Sequence, residues 1–403
     1  MNIAMLSIHS CPVGELGTKD TGGMSVYVRE LAKELGKLGC RIDIFTRRHD
    51  AHPAPVTDLN ENVRLIHVGV ADERDPSKLA VYPRIADYAE SVIRFAGQES
   101  FCYHLIHSHY WLSGMVGRSL GKRKQWDIPH MIMFHTLGAV KNTLGLGEDE
   151  PSCRIAGEKT LAAGCRKIVA PTAREKENII RFYGADPESV SVIPCGVDRD
   201  LFKPTAKEAA RKTLGCDAKG KILLYVGRVE PLKGLNRIIE SLAFLKGRMS
   251  PRLLIVGGDD PRHSGMNQLK EYAALKGVLE QVIFAGRVDQ SELPLYYCAA
   301  DTLVVASRYE SFGLVALEAL SCGTPVVSTP VGVMDTLIRD EQNGLLVRDE
   351  GVPAMALAIY RVISGSRFYE KNIAAIRKST ESFSWPGVAL RMKRVYESVV
   401  GSA

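Results

Sequence analysis

Two carboxylates, Glu310 and Glu318, stand eight positions apart in RYESFGLVALE (308–318). The segment follows the apolar run DTLVVAS (301–307) and reads as a turn followed by an apolar helix. Ser311 is expected to cap a helix from about Phe312 to Ser321, with Gly323 just past its end. Were the stretch helical throughout, the carboxylates would lie about 12 Å apart along the axis, roughly on one face. One long polar ligand could then touch both through hydroxyls, with phosphates near the backbone N–H groups of Gly313 and Leu314. Gly313 lets backbone approach such a ligand closely. The competing reading is an amphipathic helix with two incidental acids. A second motif, GRVEPLKG (227–234), follows the strand candidate KILLYVG. Arg228 leaves that strand's carboxyl end and Lys233 opens the next helix. A guanidinium fork and an ammonium point charge suit a diphosphate, although a surface pair of cations has the same spelling.

In the first half, TGGMSVY (21–27) places Gly22 and Gly23 at the mouth of a helix, where the loop can pass close to a phosphate or a reacting sugar. It is not G-x-G-x-x-G, and no G-x-x-x-x-G-K-[ST] occurs, which counts against a dehydrogenase and against a P-loop kinase or ATPase. HSHYWLSG (107–114) and FHTLGAVKN (134–142) also follow strand candidates. They supply His109, Tyr110, His135, Thr136 and Lys141. Each histidine is either a structural cap or a group that meets substrate. No H-E-x-x-H or related spacing occurs, so no metal site is expected.

The elements that must hold these residues alternate from end to end. Apolar runs such as NIAMLSI (2–8), HLIHS (104–108), HMIMF (130–134), RLLIVGG (252–258) and TPVVST (324–329) are separated by helical patterns such as MSVYVRELAKELGKLG (24–39). Strand–helix–strand repetition implies mostly parallel sheets covered on both faces. Loops after the strands are then where ligands bind. With 403 residues, two domains are expected. The hinge is placed in PCGVDRDLFKPTAKEAARKTLG (194–215), giving domains 1–197 and 198–382. A final helical segment, 383–403, is expected to cross back to the first domain.

Composition narrows the class. The chain is 45% hydrophobic and 24% charged, as in soluble globular proteins. Net charge is +6, yet Lys and Arg are dispersed among acids, without the basic stripe of a nucleic-acid binder. The densest cluster, GKRKQW (121–126), reads as a solvated helix end. No run of about 18 apolar residues is present, so no membrane span is expected. MNIAMLSIHS reads as a strand and not as a signal peptide. Nine scattered cysteines with no C-x-x-C pair suggest reduced thiols and a cytoplasmic setting.

Taken together these motifs resemble the retaining glycosyltransferases of family 4, which include sucrose and sucrose-phosphate synthases. The resemblance rests on Glu310…Glu318 as E-x7-E, on GRVEPLKG, on the Gly-Gly loop and on CGTPVV (322–327). It implies an α/β fold of the GT-B type, two doubly wound Rossmann-like domains facing one interdomain cleft. HSCPVGELGTKDTGGMSVYV, DIFTRR, LIHSHYWLSG and HTLGAVKN are most similar to the D-inositol-3-phosphate glycosyltransferases of that family. The resemblance implies a hexosyltransferase whose donor is a nucleotide-sugar, UDP-glucose or UDP-N-acetylglucosamine, and whose acceptor is a small phosphorylated polyol or sugar such as inositol phosphate. Arg228 and Lys233 would bind the diphosphate, Glu318 the ribose hydroxyls and Glu310 the transferred sugar. Phe312, Gly313 and Leu314 would support sugar and diphosphate through backbone. Arg287 falls where the family holds uracil, and His135 would contact the donor sugar. Gly23 would lie at the reacting centre beside Gly22. Lys78, Tyr110, Thr136 and Arg154 match positions that hold the acceptor's phosphate. No cofactor beyond the donor is expected, and a homodimer is a family-level expectation. Transfer to fructose 6-phosphate, a nucleotide-sugar 2-epimerase and a non-catalytic nucleotide-sugar-binding protein are the alternatives.

Overall fold

The structure is a computed structural model that describes residues 1–17, 21–48, 54–70, 77–99, 101–146, 149–217, 219–258 and 264–401. The chain divides into two compact units. The first comprises Met1–Glu15, Asp20–Cys195 and Trp385–Ala403, and the second Leu16–Lys19 and Gly196–Ser384. The chain thus changes unit at 195/196 and 384/385, against 197/198 and 382/383 in the sequence reading.

The first unit is built on eight strands: β1 Asn2–Leu6, β2 Arg41–Arg47, β3 Val56–Asn60, β4 Val63–Val68, β5 Leu105–His109, β6 His130–Met133, β7 Lys167–Ala170 and β8 Val190–Val192. Their order is β3-β4-β2-β1-β5-β6-β7-β8. All pairings are parallel except β3 with β4. β3 was missed in the sequence because VTDLN is short, polar and mostly exposed. It is an edge strand folded onto β4 by the tight turn at Glu61 and Asn62. The central strands are apolar because helices cover both faces, and Ile3, Met5, Leu6, Leu105 and Ile106 are fully buried. The helix Trp385–Val400 belongs to this unit. Its Tyr396 hydroxyl meets His107 Nδ1 at 2.7 Å, its Lys393 Nζ donates to Leu38 O at 2.9 Å, and Trp385 packs edge-on against Tyr27.

The second unit carries β9 Ile222–Val226, β10 Arg252–Val256, β11 Val282–Gly286, β12 Thr302–Val305, β13 Val326–Ser328 and β14 Gly344–Leu346. These form an all-parallel sheet in the order β11-β10-β9-β12-β13-β14. Both units are therefore Rossmann-like. In each, the chain builds outward in one direction and then returns to build the other way. The reversal falls between β1 and β5 in the first sheet and between β9 and β12 in the second. Loops part at such a reversal and leave a crevice at the carboxyl ends of the strands.

GKRKQW is the end of the helix Trp111–Leu120 followed by a short 3-10 turn. Lys122, Arg123 and Lys124 are exposed, while Trp126 is buried and stacks on Tyr103. Among the described residues no helix is long and apolar enough to cross a membrane.

Candidate active site

At the reversal of the first sheet, the loop after β1 brings His9 against Tyr110, which follows β5, with ring centroids 4.3 Å apart. Tyr110 has φ 73° and His135, just after β6, has φ 62°. Left-handed backbone at bulky residues costs on the order of 1–3 kcal/mol and concentrates at functional sites. Arg154, on the helix Ser152–Gly164, is only 1% exposed. A solvent-facing cation was the competing reading of this acceptor-site position. Instead its guanidinium lies over the Tyr110 ring, 4.8 Å from the centroid, and donates to Thr136 O and Oγ1, each at 2.9 Å. Its remaining donors meet Glu158 Oε1 and Glu150 Oε2, each at 2.8 Å. Glu158 is fully buried and also accepts from Gly138 N and the Tyr183 hydroxyl. Glu150 further pairs with Lys141.

His9 gathers the rest of the cluster. Burial first, then the charges of Lys78, His135, Arg47 and Arg154, hold its imidazole well below the usual histidine range. Lys78 opens a 3-10 turn, and Arg47 at the end of β2 donates to Ser77 O at 3.1 Å, fixing the approach to Lys78. His9 Nδ1 is buried and has no hydrogen-bond partner among the described residues. His135 Nε2 shares a hydrogen bond with His109 Nδ1 at 2.9 Å. Burial, then His107, pushes His135 down to about 3, so it is neutral at ordinary pH. Tyr27 packs edge-on against both His109 and His135. The structure thus brings Tyr110, Thr136 and Arg154 together, with His135 next in the chain to Thr136, and leaves Lys78 linked to them by the effect of its charge on His9. It adds His9, Arg47, Glu150 and Glu158, which sequence reasoning missed. His9 carried a signal in its position at a strand's carboxyl end, and Glu158 in its i+4 spacing from Arg154 on a helix.

Gly22 caps the helix Gly23–Lys37 with φ −172°, an extended conformation open to any residue. A Cβ there would find no protein atom within 4 Å. Neither packing nor backbone conformation in the protein itself calls for glycine at that point. Gly23 is exposed beside it.

The second unit repeats the arrangement at its own reversal. Arg228 follows β9 and pairs with Glu230 at 2.8 Å with 42% of its side chain exposed. The Tyr225 hydroxyl donates to Arg228 O at 2.6 Å and fixes that loop. Lys233 ends the turn Pro231–Lys233, and its Nζ meets Glu310 Oε1 at 2.7 Å. Ser307 Oγ donates to the same oxygen at 2.8 Å. The loops after β9 and β12 approach so closely that a Cβ on Gly234 would sit 2.2 Å from Ala306 O. Arg308 N donates to Leu232 O across the same gap.

The expected helix is corrected at its start. It runs Leu314–Ser321, with Gly313 as the N-cap at φ 105°, so Ser311 does not cap it and Phe312 precedes it. Glu310 lies in the loop before the helix, and the one-face geometry does not apply. The turn is locked by Val333 N donating to Phe312 O at 2.8 Å. Phe312 is buried against Phe383, and a Cβ on Gly313 would strike Met334 Cε. Leu314 opens the helix. Glu318, one turn in, is buried and accepts from the Tyr297 hydroxyl at 2.6 Å. Burial pushes its carboxyl up to about 7. Arg287 follows the edge strand β11, two strands away from β9, and is exposed. The structure joins Lys233 to Glu310 but places Glu318 and Arg287 in surroundings of their own. Among the described residues no group of three His, Cys, Asp or Glu side chains could hold a metal.

Comparison with known proteins agrees with this architecture. Residues 21–201 match the sequence model of Glycosyltransferase Family 4, and residues 206–379 that of Glycosyl transferases group 1. The D-inositol 3-phosphate glycosyltransferase of Xylanimonas cellulosilytica is 36% identical over 98% of this chain and 96% of that protein. D-inositol 3-phosphate glycosyltransferase 2 of Catenulispora acidiphila is 40% identical over 88% of this chain and 86% of its own. Among solved structures, sucrose-phosphate synthase from Thermosynechococcus elongatus superposes with TM-score 0.90 at 30% identity over 100% of both chains. With two Rossmann-like units, family models matched along both and relatives of this identity over nearly the full length, the chain belongs to the GT-B glycosyltransferases of family 4.

Proposed function

We propose that the protein moves a hexosyl group from a UDP-sugar, glucose or N-acetylglucosamine, to a small phosphorylated polyol such as inositol phosphate, retaining the anomeric configuration. The observation that carries the acceptor class is the buried Arg154 guanidinium lying over the Tyr110 ring and on the Thr136 hydroxyl, with the His9 imidazole packed against the same tyrosine. A buried cation and two hydroxyls beside a buried ring nitrogen that has no partner among the described residues suit a phosphate dianion, with Lys78 and Arg47 adding positive charge to the surroundings, since charge-assisted hydrogen bonds strengthen where water is scarce. The names of the relatives at 36% and 40% identity support inositol phosphate. The full-length likeness to a sucrose-phosphate synthase supports fructose 6-phosphate as the second reading, using the same phosphate cluster.

On the donor side, Lys233 and Arg228 would neutralise the diphosphate, with Arg287 toward the base and Glu318 on the ribose. Lys233 pairs with Glu310. Donor binding would draw the ammonium to the diphosphate and release Glu310 to accept the sugar's hydroxyls. The backbone of Phe312, Gly313 and Leu314 would lie along sugar and diphosphate, and Gly22 and Gly23 would border the reacting carbon. Neutral His135 would use Nδ1 toward a sugar hydroxyl. The acceptor oxygen attacks the anomeric carbon on the face that the diphosphate leaves, the bond to the diphosphate breaks, and the departing phosphate oxygen takes the acceptor's proton. The protein supplies position and charge and no nucleophile. On this reading the two cations would do the work of a divalent metal, so turnover is expected to persist in a chelator.

The test is a matrix of UDP-, ADP- and GDP-sugars against inositol phosphate, fructose 6-phosphate and their dephosphorylated forms, read as nucleotide release and product anomer. The expected outcome is release from a UDP-sugar only with a phosphorylated acceptor, and an α product from an α donor. Equal rates with dephosphorylated acceptors would refute the phosphate cluster.

A further inference from the structure

Glu318 presents an energetic puzzle. It is 7% exposed, on the helix Leu314–Ser321, and the Tyr297 phenol at 2.6 Å is its one hydrogen-bond donor among the described residues. A buried carboxylate offers four lone-pair positions and costs several kcal/mol unless cations or donors meet them. Among the described residues the neighbouring elements supply no cation for it. The helix Leu293–Ala299 presents Tyr297 and Cys298, and the carboxylate's own helix ends at Cys322. The strands β12 and β13 offer only Thr302 and Ser328 as polar side chains. Arg377, from the helix Ile373–Lys378, spends its guanidinium on the carbonyls of Phe202, Ser321 and Arg199.

Tyr297 is built to be immobile. It is fully buried, its ring packs edge-on against Phe202 at 6.0 Å, and its carbonyl accepts from Thr324 Oγ1 at 2.6 Å. Its phenol donates to Oε2 alone. Among the described residues nothing donates to the other oxygen, Oε1, which makes it the natural acceptor for a ligand's hydroxyls.

We propose that Tyr297 is a positioning residue for the donor: by anchoring Glu318 Oε2 it aims Oε1 at the vicinal hydroxyls of the nucleotide ribose. This deepens the donor reading above and rests on it. The phenol also opposes the effect of burial on the carboxyl, because a hydrogen bond to the charged form favours that form. The sign follows directly. A carboxyl raised to about 7 is charged above that pH and protonates below it. Donor affinity that depends on the carboxylate is therefore full above neutrality and falls as pH drops through it. Removing the phenol raises the carboxyl further, so the fall begins at higher pH.

The experiment uses the full chain and compares wild type, Tyr297→Phe and Glu318→Gln. Binding of UDP and of 2′,3′-dideoxy-UDP is measured at pH 8.0. The pH dependence is followed with UDP-glucose, whose diphosphate does not titrate near neutrality. Tyr297→Phe keeps the ring, and the carboxyl it frees can protonate without unfolding the domain. Melting temperature is recorded alongside. Wild type should favour UDP over the dideoxy analogue by roughly tenfold or more, a single tenfold being about 1.4 kcal/mol. Tyr297→Phe should shrink that ratio at least threefold and move the acid limb of UDP-glucose affinity up in pH. If Glu318→Gln collapses the ratio while Tyr297→Phe leaves both ratio and acid limb untouched, Tyr297 is packing only and the inference is overturned. If Glu318→Gln itself leaves the ratio unchanged, the ribose role of Glu318 fails with it.

Discussion

The two sheet reversals handle positive charge differently. In the first unit Arg154 is 1% exposed and held by two carboxylates, Glu150 and Glu158, and by Thr136. In the second, Arg228 is 42% exposed beside Glu230, and Lys233 keeps 21% of its side chain exposed beside Glu310. A buried cation with fixed counterions is organised before any ligand arrives. Partly exposed cations on single carboxylates can change partners at little cost, because such pairs contribute roughly 0–1 kcal/mol. The first arrangement suits a group that must be recognised, the second a group whose charge grows as a bond breaks.

The largest expected effect is on stability. Glu158→Leu would remove one of the two carboxylates that hold buried Arg154 and strand Gly138 N and the Tyr183 hydroxyl, and should cost about 3–5 kcal/mol in urea denaturation. A loss below about 1 kcal/mol would erase the contrast between the units. Next comes Lys233→Ala. It should lower kcat by roughly 10²–10³, the usual consequence of removing one electrostatic group from a transition state. Its stability should change by no more than about 1 kcal/mol. Matching losses of turnover and stability would make Lys233 structural and the two units alike. The smallest effect sharpens the comparison at the helix mouth. Because a Cβ at Gly22 meets only open space, Gly22→Ala should change stability by no more than about 0.5 kcal/mol. Transfer should still fall roughly tenfold, an effect of about 1.4 kcal/mol. Full activity would place substrate elsewhere.

Much of the fold was legible because its strands are short apolar runs between helical periodicities, as LLYV in β9 and LVV in β12 illustrate. The exception, β3, is held by backbone pairing at an edge and needs no apolar signal. The helix after Glu310 began later than expected because Gly313 takes up φ 105° and is pinned against Met334. Ser311 has the right side chain for a cap, but the chain turns two residues beyond it. Arg154 was expected at the acceptor by resemblance, but its burial was not legible, because the i+4 spacing to Glu158 does not show that this carboxylate is itself buried and binds Gly138 N and Tyr183.

What the sequence determined by itself was the alternation of elements and the set of reactive side chains at strand ends, since both are local: periodicity selects the element, and the element's end exposes the residue. Which strand ends become neighbours was decided only by the tertiary structure. His9 lies 101 positions before Tyr110, and Lys233 lies 77 before Glu310. They meet because β1 pairs with β5 and β9 with β12. Strand order is a global outcome of burying both faces of each sheet, and no stretch of chain short enough to show a motif carries it.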